Sequence, residues 1–271
     1  MKDPGILISY IGKLGSAAVA FSGGVDSSVV AAAAYAALGD KSLAVTVASE
    51  LVPEADVENA RNIAKTIGIE HVVVKVEALS NESVASNPPD RCYHCKSDDF
   101  AAIFEAARAR GIINVLDGTN HDDSHTHRPG IRALRELGVA SPLMEHGITK
   151  ADVRRFAAHF GLPNADRPSS PCLASRIPYG TRLTVKALGR VAAAEEYLHG
   201  LGFAVVRVRD YGDTARIEVV PEMLPKLVES GEIIVAKLRT LGYNYVSADL
   251  QGFRSGSMDE HARNNKNKAE E

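Results

Sequence analysis

A chain of 271 residues is long enough for one large domain or two modest ones, and it can bury a full core without disulfide or metal staples. Its net charge of −3, with 24% charged residues, offers no global basic field, so no nucleic-acid partner is expected. Three cysteines, an odd number, argue against a disulfide framework; no signal peptide and no membrane-spanning run can be read, so a cytoplasmic protein without a membrane partner is expected.

The first element is a short apolar strand, Ala17 to Phe21, which empties into Ser22-Gly23-Gly24-Val25-Asp26-Ser27-Ser28 and then into an alanine-rich helix. Adjacent glycines let the backbone turn tightly and present several N–H groups in a row. The serines add hydroxyl donors, and the helix aims its positive end at the same point. Such a nest binds an anion of high charge density, most often phosphate. A Walker loop needs Gly-x-x-x-x-Gly-Lys-Ser/Thr. Here the lysine is missing and Asp26 stands inside the loop, which points to a pyrophosphate bridged by magnesium, Mg2+. The pattern resembles the pyrophosphatase (PP) loop of enzymes that cleave ATP to AMP and pyrophosphate. It nominates Ser22, Gly23, Gly24, Asp26 and Ser27 as ATP-binding residues.

Further along, Lys41 to Ala48 reads as strand, Glu54 to Ile67 as helix and His71 to Val76 as strand. Lys96 to Arg110 reads as helix and Ile112 to Leu116 as strand. This alternation predicts an α/β, Rossmann-like parallel sheet covered by helices, with its ligand at the carboxyl ends of the strands. The loop Asp117-Gly118-Thr119-Asn120-His121-Asp122-Asp123 leaves such an end, which adds Gly118 and Asp123 to the nucleotide set. Asp-Gly-Thr-Asn is also ordinary turn chemistry. Arg132 and Arg135, on a short helix beyond it, read as surface charge.

Lys150 to Phe160 is helical, and Asn164 to Pro178 carries three prolines and cannot be regular. Val185 to Leu201 is helical, Phe203 to Arg209 and Thr214 to Val220 are strands about Tyr211-Gly212-Asp213, Glu222 to Leu241 is helical, and Tyr243 to Asp249 is a third strand. The expected organisation is a nucleotide domain over residues 1–180 that includes the cysteine-bearing connector. A small α+β module for substrate and oligomerisation follows over 181–255, then a polar, disordered tail over 256–271. Arg207 and Arg209 alternate on one strand and so face the same side, a good geometry for gripping a substrate phosphate. Glu195, Glu218 and Glu222 read as a solvated face.

Cys92-Tyr93-His94-Cys95 stands just before a helix, and Cys172 lies in the connector. A redox pair would need a thioredoxin-like fold, against which the phosphate loop argues. A zinc site completed by a histidine, an iron–sulfur cluster held by three thiolates with one open iron, which suits the count better, and three unrelated thiols remain readings of this set. Ser175 and Arg176, shortly after Cys172, place positive charge beside its sulfur.

Five blocks in order converge on a family. They are Ser22 to Ser27, Cys92 to Lys96, Gly118-Thr119-Asn120-x-Asp122-Asp123, Cys172-Leu173-Ala174-Ser175-Arg176-Ile177-Pro178, and Gly252 to Met258. Together they resemble LarE-type sulfur transferases, which help build the nickel-pincer nucleotide cofactor. The resemblance implies ATP-dependent adenylylation of a carboxylate on pyridinium-3,5-biscarboxylic acid mononucleotide, an anionic mononucleotide substrate, followed by conversion to a thiocarboxylate. For that chemistry Asp26 and Asp123 are candidates to orient the metal. Cys172 is implied either as sulfur donor, becoming dehydroalanine, or as one ligand with Cys92 and Cys95 of a 4Fe–4S cluster that carries sulfide. Three cysteines favour the cluster type, fed by a sulfide donor the sequence does not name. Ser175, Arg176, Arg207 and Arg209 become substrate-binding candidates. A ring-like homo-oligomer is implied, a hexamer being the form reported for the family. The rival readings are a cluster-dependent tRNA thiolase, an ATP-driven amide-forming enzyme, and a nucleotide sensor that releases no pyrophosphate.

Overall fold

The computed structural model describes residues 2–125, 129–165 and 171–254. The expected tail, and the end of the Gly252–Met258 block, lie outside the described residues. The first elements are α1 (Gly5–Gly12), β1 (Ala17–Ala20), α2 (Val25–Leu38), β2 (Ser42–Ala48), α3 (Glu54–Ile67) and β3 (Glu70–Lys75). Then come α4 (Glu82–Ala85), α5 (Arg91–Arg108), β4 (Val115–Leu116), α6 (Pro129–Glu136), α7 (Pro142–Glu145) and α8 (Lys150–His159). The last are α9 (Val185–Gly200), β5 (Val206–Asp210), β6 (Thr214–Val219), α10 (Leu224–Glu229), α11 (Gly231–Thr240) and β7 (Tyr245–Ala248). Among the described residues, no helix is long and apolar enough to cross a membrane.

These residues pack into two compact units, one drawn from Met1–Ala78 and Asp90–Ser170, the other from Leu79–Pro89 and Pro171–Glu271. The first is built on a parallel sheet ordered β3-β2-β1-β4. Ala17 and Val19 point into one apolar cluster with α1, α2 and α8, while Ala18 points into the other with Leu43, Phe100 and Ile103. Both faces are thus buried, which is why β1 and β2 read as continuous apolar runs rather than alternating ones. The alanines of α2 are buried on most sides, their small side chains allowing close packing around the helix. In this order the chain steps from β1 to β2 and β3 on one side and then crosses back to β4 on the other side of β1, so a crevice opens between β1 and β4 at their carboxyl ends.

The second unit holds a three-stranded sheet, β5 antiparallel to β6 and β6 parallel to β7. Leu198, Phe203, Val206, Val208, Ile217, Leu238 and Tyr243 form its core. Residues 79–89 join it through Asn87, buried at a positive φ of 57° that asparagine tolerates. The Asn87 amide donates to the carbonyls of Pro178 at 2.9 Å and Thr181 at 3.2 Å, and Leu183 N–H donates to the Ala85 carbonyl at 2.8 Å.

Several boundaries differ from expectation. The helix expected from Lys96 starts at Arg91, just after Pro88-Pro89, so Cys92 and Cys95 lie inside its first turns. The strand expected from Ile112 is only Val115–Leu116, and that expected from Phe203 starts at Val206. In both cases the first expected strand residue closes the preceding helix. Ile112 N–H donates to Ala107 and Phe203 N–H to Leu198, each across a glycine at positive φ. The single helix expected over Glu222–Leu241 is broken at Ser230-Gly231.

Candidate active site

The end of β1 is held before it turns. Phe21 N–H donates to the Val45 carbonyl at 2.8 Å, and Thr46 Oγ1 donates to the Phe21 carbonyl at 2.6 Å. That hydroxyl has one proton, so the His71 Nε2 lying 2.8 Å away must be the donor to it. Burial, with Arg61 nearby, pushes the His71 imidazole below its ordinary pKa.

Gly23 follows with φ of 70°, and a Cβ there would stand 2.8 Å from Ala60 Cα on α3. Gly24 is the N-cap of α2, which no side chain among the described residues caps. The amides of its first turn therefore remain for a ligand. Ser22 Oγ accepts from Gly24 N–H at 3.3 Å; Ser27 Oγ accepts from Ser22 N–H at 3.2 Å and donates to the Gly24 carbonyl at 3.0 Å. The two hydroxyls lie 3.2 Å apart at the mouth of the nest.

The loop after β4 closes on this nest from the neighbouring strand. A Cβ on Gly118 would stand 2.7 Å from Ser27 N, so only glycine permits this approach to α2. Asn120 donates to Asp26 Oδ1 at 3.1 Å, and its own backbone N–H donates to Asp123 at 3.3 Å. Beneath them Asp117 is buried, accepting from Ser141 Oγ at 2.6 Å and from the Thr119 hydroxyl; burial pushes its carboxyl above the usual carboxylate range. The structure thus brings Ser22, Gly23, Gly24, Asp26, Ser27, Gly118 and Asp123 to one crevice. It adds Lys150, whose ammonium pairs with the other Asp26 oxygen from the start of α8, and whose backbone N–H donates to Asp122 at 2.9 Å. Asn59 and Asn164 also reach the loop, both donating to the Gly23 carbonyl. Sequence reasoning missed all three, because nothing in the loop's own pattern points to them.

Cys92 and Cys95, three residues apart on α5, share a helix face and are half-buried. The buried Arg91 guanidinium donates toward Cys92 Sγ at 3.7 Å, and the Cys95 thiol toward Asp99 at 3.7 Å. Burial pushes the Asp99 carboxyl up. The spacing and soft donors suit two ligands of an iron–sulfur cluster. Among the described residues, no group of three or more His, Cys, Asp or Glu side chains is gathered to hold a metal ion.

Cys172 belongs to the second unit, where it precedes a tight turn over Leu173–Arg176. Its carbonyl accepts from Ser175 N–H at 3.1 Å, Ser175 Oγ at 2.8 Å and the Arg176 guanidinium at 3.0 Å. Arg176 is 1% exposed and bidentate to Glu195, at 2.9 and 2.8 Å, and it also holds the Pro171 carbonyl. Arg209 donates to the Ser175 carbonyl at 2.9 Å and to Glu218 at 2.6 Å. Arg207 lies on the same face of β5, over the Phe253 ring. The expected solvated glutamate face is corrected here: Glu222 is exposed, but Glu195 and Glu218 are buried among arginines.

Similarity to known proteins agrees with this geometry. The family model described as NAD synthase matches residues 6–123, a span containing both crevice loops. An uncharacterized protein of Synechocystis sp. is 42% identical over 93% of this chain and 95% of its own length. The pyridinium-3,5-bisthiocarboxylic acid mononucleotide synthase of Lactiplantibacillus plantarum is 37% identical over 94% of this chain and 92% of its own length. The tRNA-specific 2-thiouridylase MnmA of Rickettsia felis is more distant, at 28% over 73% of this chain and 64% of its own. With the phosphate nest and a relative this similar over nearly all of its length, the chain belongs to the LarE-type family of PP-loop enzymes and is an ATP-dependent enzyme.

Proposed function

We propose that this enzyme activates one carboxylate of pyridinium-3,5-biscarboxylic acid mononucleotide with ATP and converts it to a thiocarboxylate. The observation that carries the reading is the nest with its own carboxylate, Asp26, in a chain 37% identical to a synthase of the corresponding bisthiocarboxylic acid mononucleotide. A carboxylate is a poor electrophile. Its oxygen attacks the α-phosphorus of ATP, pyrophosphate leaves, and the acyl adenylate has AMP as a good leaving group. The open amides of α2 and the hydroxyls of Ser22 and Ser27 are placed to take the charge that develops on pyrophosphate. Magnesium held by Asp26, with Asp123 close by, would neutralise that charge further.

Sulfur must then reach the acyl carbon while water is kept out, and AMP departs with the former carboxylate oxygen. The three thiols Cys92, Cys95 and Cys172 are the soft donors for a 4Fe–4S cluster, which would present sulfide from a donor outside the chain on its open iron. Ser175, Arg176, Arg207 and Arg209 would serve the substrate from the second unit, Arg176 and Arg209 by bracing the Cys172 turn from buried ion pairs. A cytoplasmic homo-oligomer completes the reading. In a second reading Cys172 gives up its own sulfur; the hydrogen-bonded turn that carries it favours this, since it fixes one particular thiol.

Anaerobic incubation with ATP, magnesium and the dicarboxylate nucleotide, followed by mass spectrometry of product and protein, decides. The cluster reading expects visible iron–sulfur absorbance, lost in Cys92→Ala, Cys95→Ala and Cys172→Ala alike, with protein mass unchanged by turnover. If only Cys172→Ala stops sulfur transfer and the protein loses one sulfur per turnover, the second reading holds. Salt-dependent tRNA binding without nucleotide thiolation would overturn both.

A further inference from the structure

The Gly23 carbonyl is gripped twice. Asn59 Nδ2, on α3, donates to it at 3.1 Å, and Asn164 Nδ2, beyond α8, at 2.9 Å. Asn164 is only 4% exposed and also donates to Ser28 Oγ at 2.9 Å, while its Oδ1 is buried with no hydrogen-bond partner among the described residues. A buried amide normally satisfies both ends, and leaving the acceptor bare costs stability. Its orientation is therefore set by what it donates to.

The Gly23–Gly24 peptide explains why that donation matters. In a planar trans peptide the carbonyl and the following N–H point in opposite directions. With the Gly23 carbonyl held against α3, the Gly24 N–H must point to the other side, toward Ser22 Oγ and the uncapped first turn of α2. A glycine at each end makes this the least constrained peptide of the loop. Were it to flip, a carbonyl oxygen would face the phosphates in place of a donor. We infer that Asn59 and Asn164 are positioning residues that hold this peptide in its anion-accepting orientation, so that the loop is ready for pyrophosphate before nucleotide arrives. The inference rests on the loop's use of ATP.

Calorimetric titration of the full chain with inorganic pyrophosphate and magnesium tests it, with thermal unfolding measured alongside. Asn59→Ala and Asn164→Leu should each weaken pyrophosphate binding by about fivefold. The double variant should lose more than the product of the two, because each amide partly covers for the other. Asn59→Asp is the sharper probe: the residue is half-buried, and the carboxylate has the shape of the amide but cannot donate. It should bind at least as weakly as Asn59→Ala with an unchanged unfolding midpoint, whereas a role in packing alone predicts wild-type affinity. Wild-type affinity in Asn59→Asp or in the double variant overturns the inference. A wild-type chain that takes no pyrophosphate would instead remove the nucleotide reading beneath it.

Discussion

Lys150 occupies a position that helix electrostatics alone disfavours. It is the first residue of α8, behind a capping box made by Thr149 and Asp152, where the helix end is positive and a cation is repelled. What offsets this is Asp26, paired with the Lys150 ammonium in a partly solvated crevice. If Asp26 holds magnesium as proposed, metal binding would release the lysine toward the phosphates and supply the charge that the loop itself lacks. Lys150→Met keeps the apolar stem and removes only the ammonium. It should raise KM for ATP by about tenfold, the worth of one charged hydrogen bond, and slow pyrophosphate release. Unchanged KM and kcat in a pyrophosphate-release assay would reduce Lys150 to a neutraliser of Asp26.

At the scale of elements, the crevice exists because two loops leave neighbouring parallel strands at the same edge, and Gly118 sets their distance. Its hydrogen is replaced in Gly118→Ala by a methyl 2.7 Å from Ser27 N, a backbone atom that cannot swing aside. Either the second loop retreats or α2 shifts. Both move Asn120 away from Asp26, so ATP turnover should fall by about tenfold or more, as small misplacements in a site do. The fold should survive, because the changed contact lies at a loop and not in either apolar cluster. The same scale explains what could be read in the sequence. The phosphate nest was legible because its donors are contiguous, and β1 and β2 were legible because burial on both faces leaves unbroken apolar runs. Lys150, Asn59 and Asn164 were not, since they lie 124, 36 and 141 residues from the loop atoms they hold, and only the fold brings them there. Ile112 and Phe203 were misread for a different reason. An apolar residue after a glycine can begin a strand or end a helix, and periodicity does not distinguish the two.

On the scale of the whole molecule, each unit carries its own apolar core, and among the described residues the ion pairs most removed from water lie in the second. Arg176–Glu195, Arg190–Asp210 and Arg209–Glu218 are all largely removed from water. Glu195 is the carboxylate that reaches the Cys172 turn: it accepts from two N–H groups of the Arg176 guanidinium and also from Val208 N–H at 2.9 Å, tying that turn to α9 and β5. Removing one partner of such a pair strands the other charge, at about 3–5 kcal/mol. Glu195→Ala should therefore loosen the second unit selectively. Hydrogen exchange would read this directly: amides of β5, β6 and α9 should lose about a hundredfold or more in protection, while those of β1 and β2 keep theirs. Equal loss in both units would mean that the chain unfolds as one cooperative body. No loss at all would mean that water reaches Arg176 and that the Cys172 turn is held by its backbone hydrogen bonds alone.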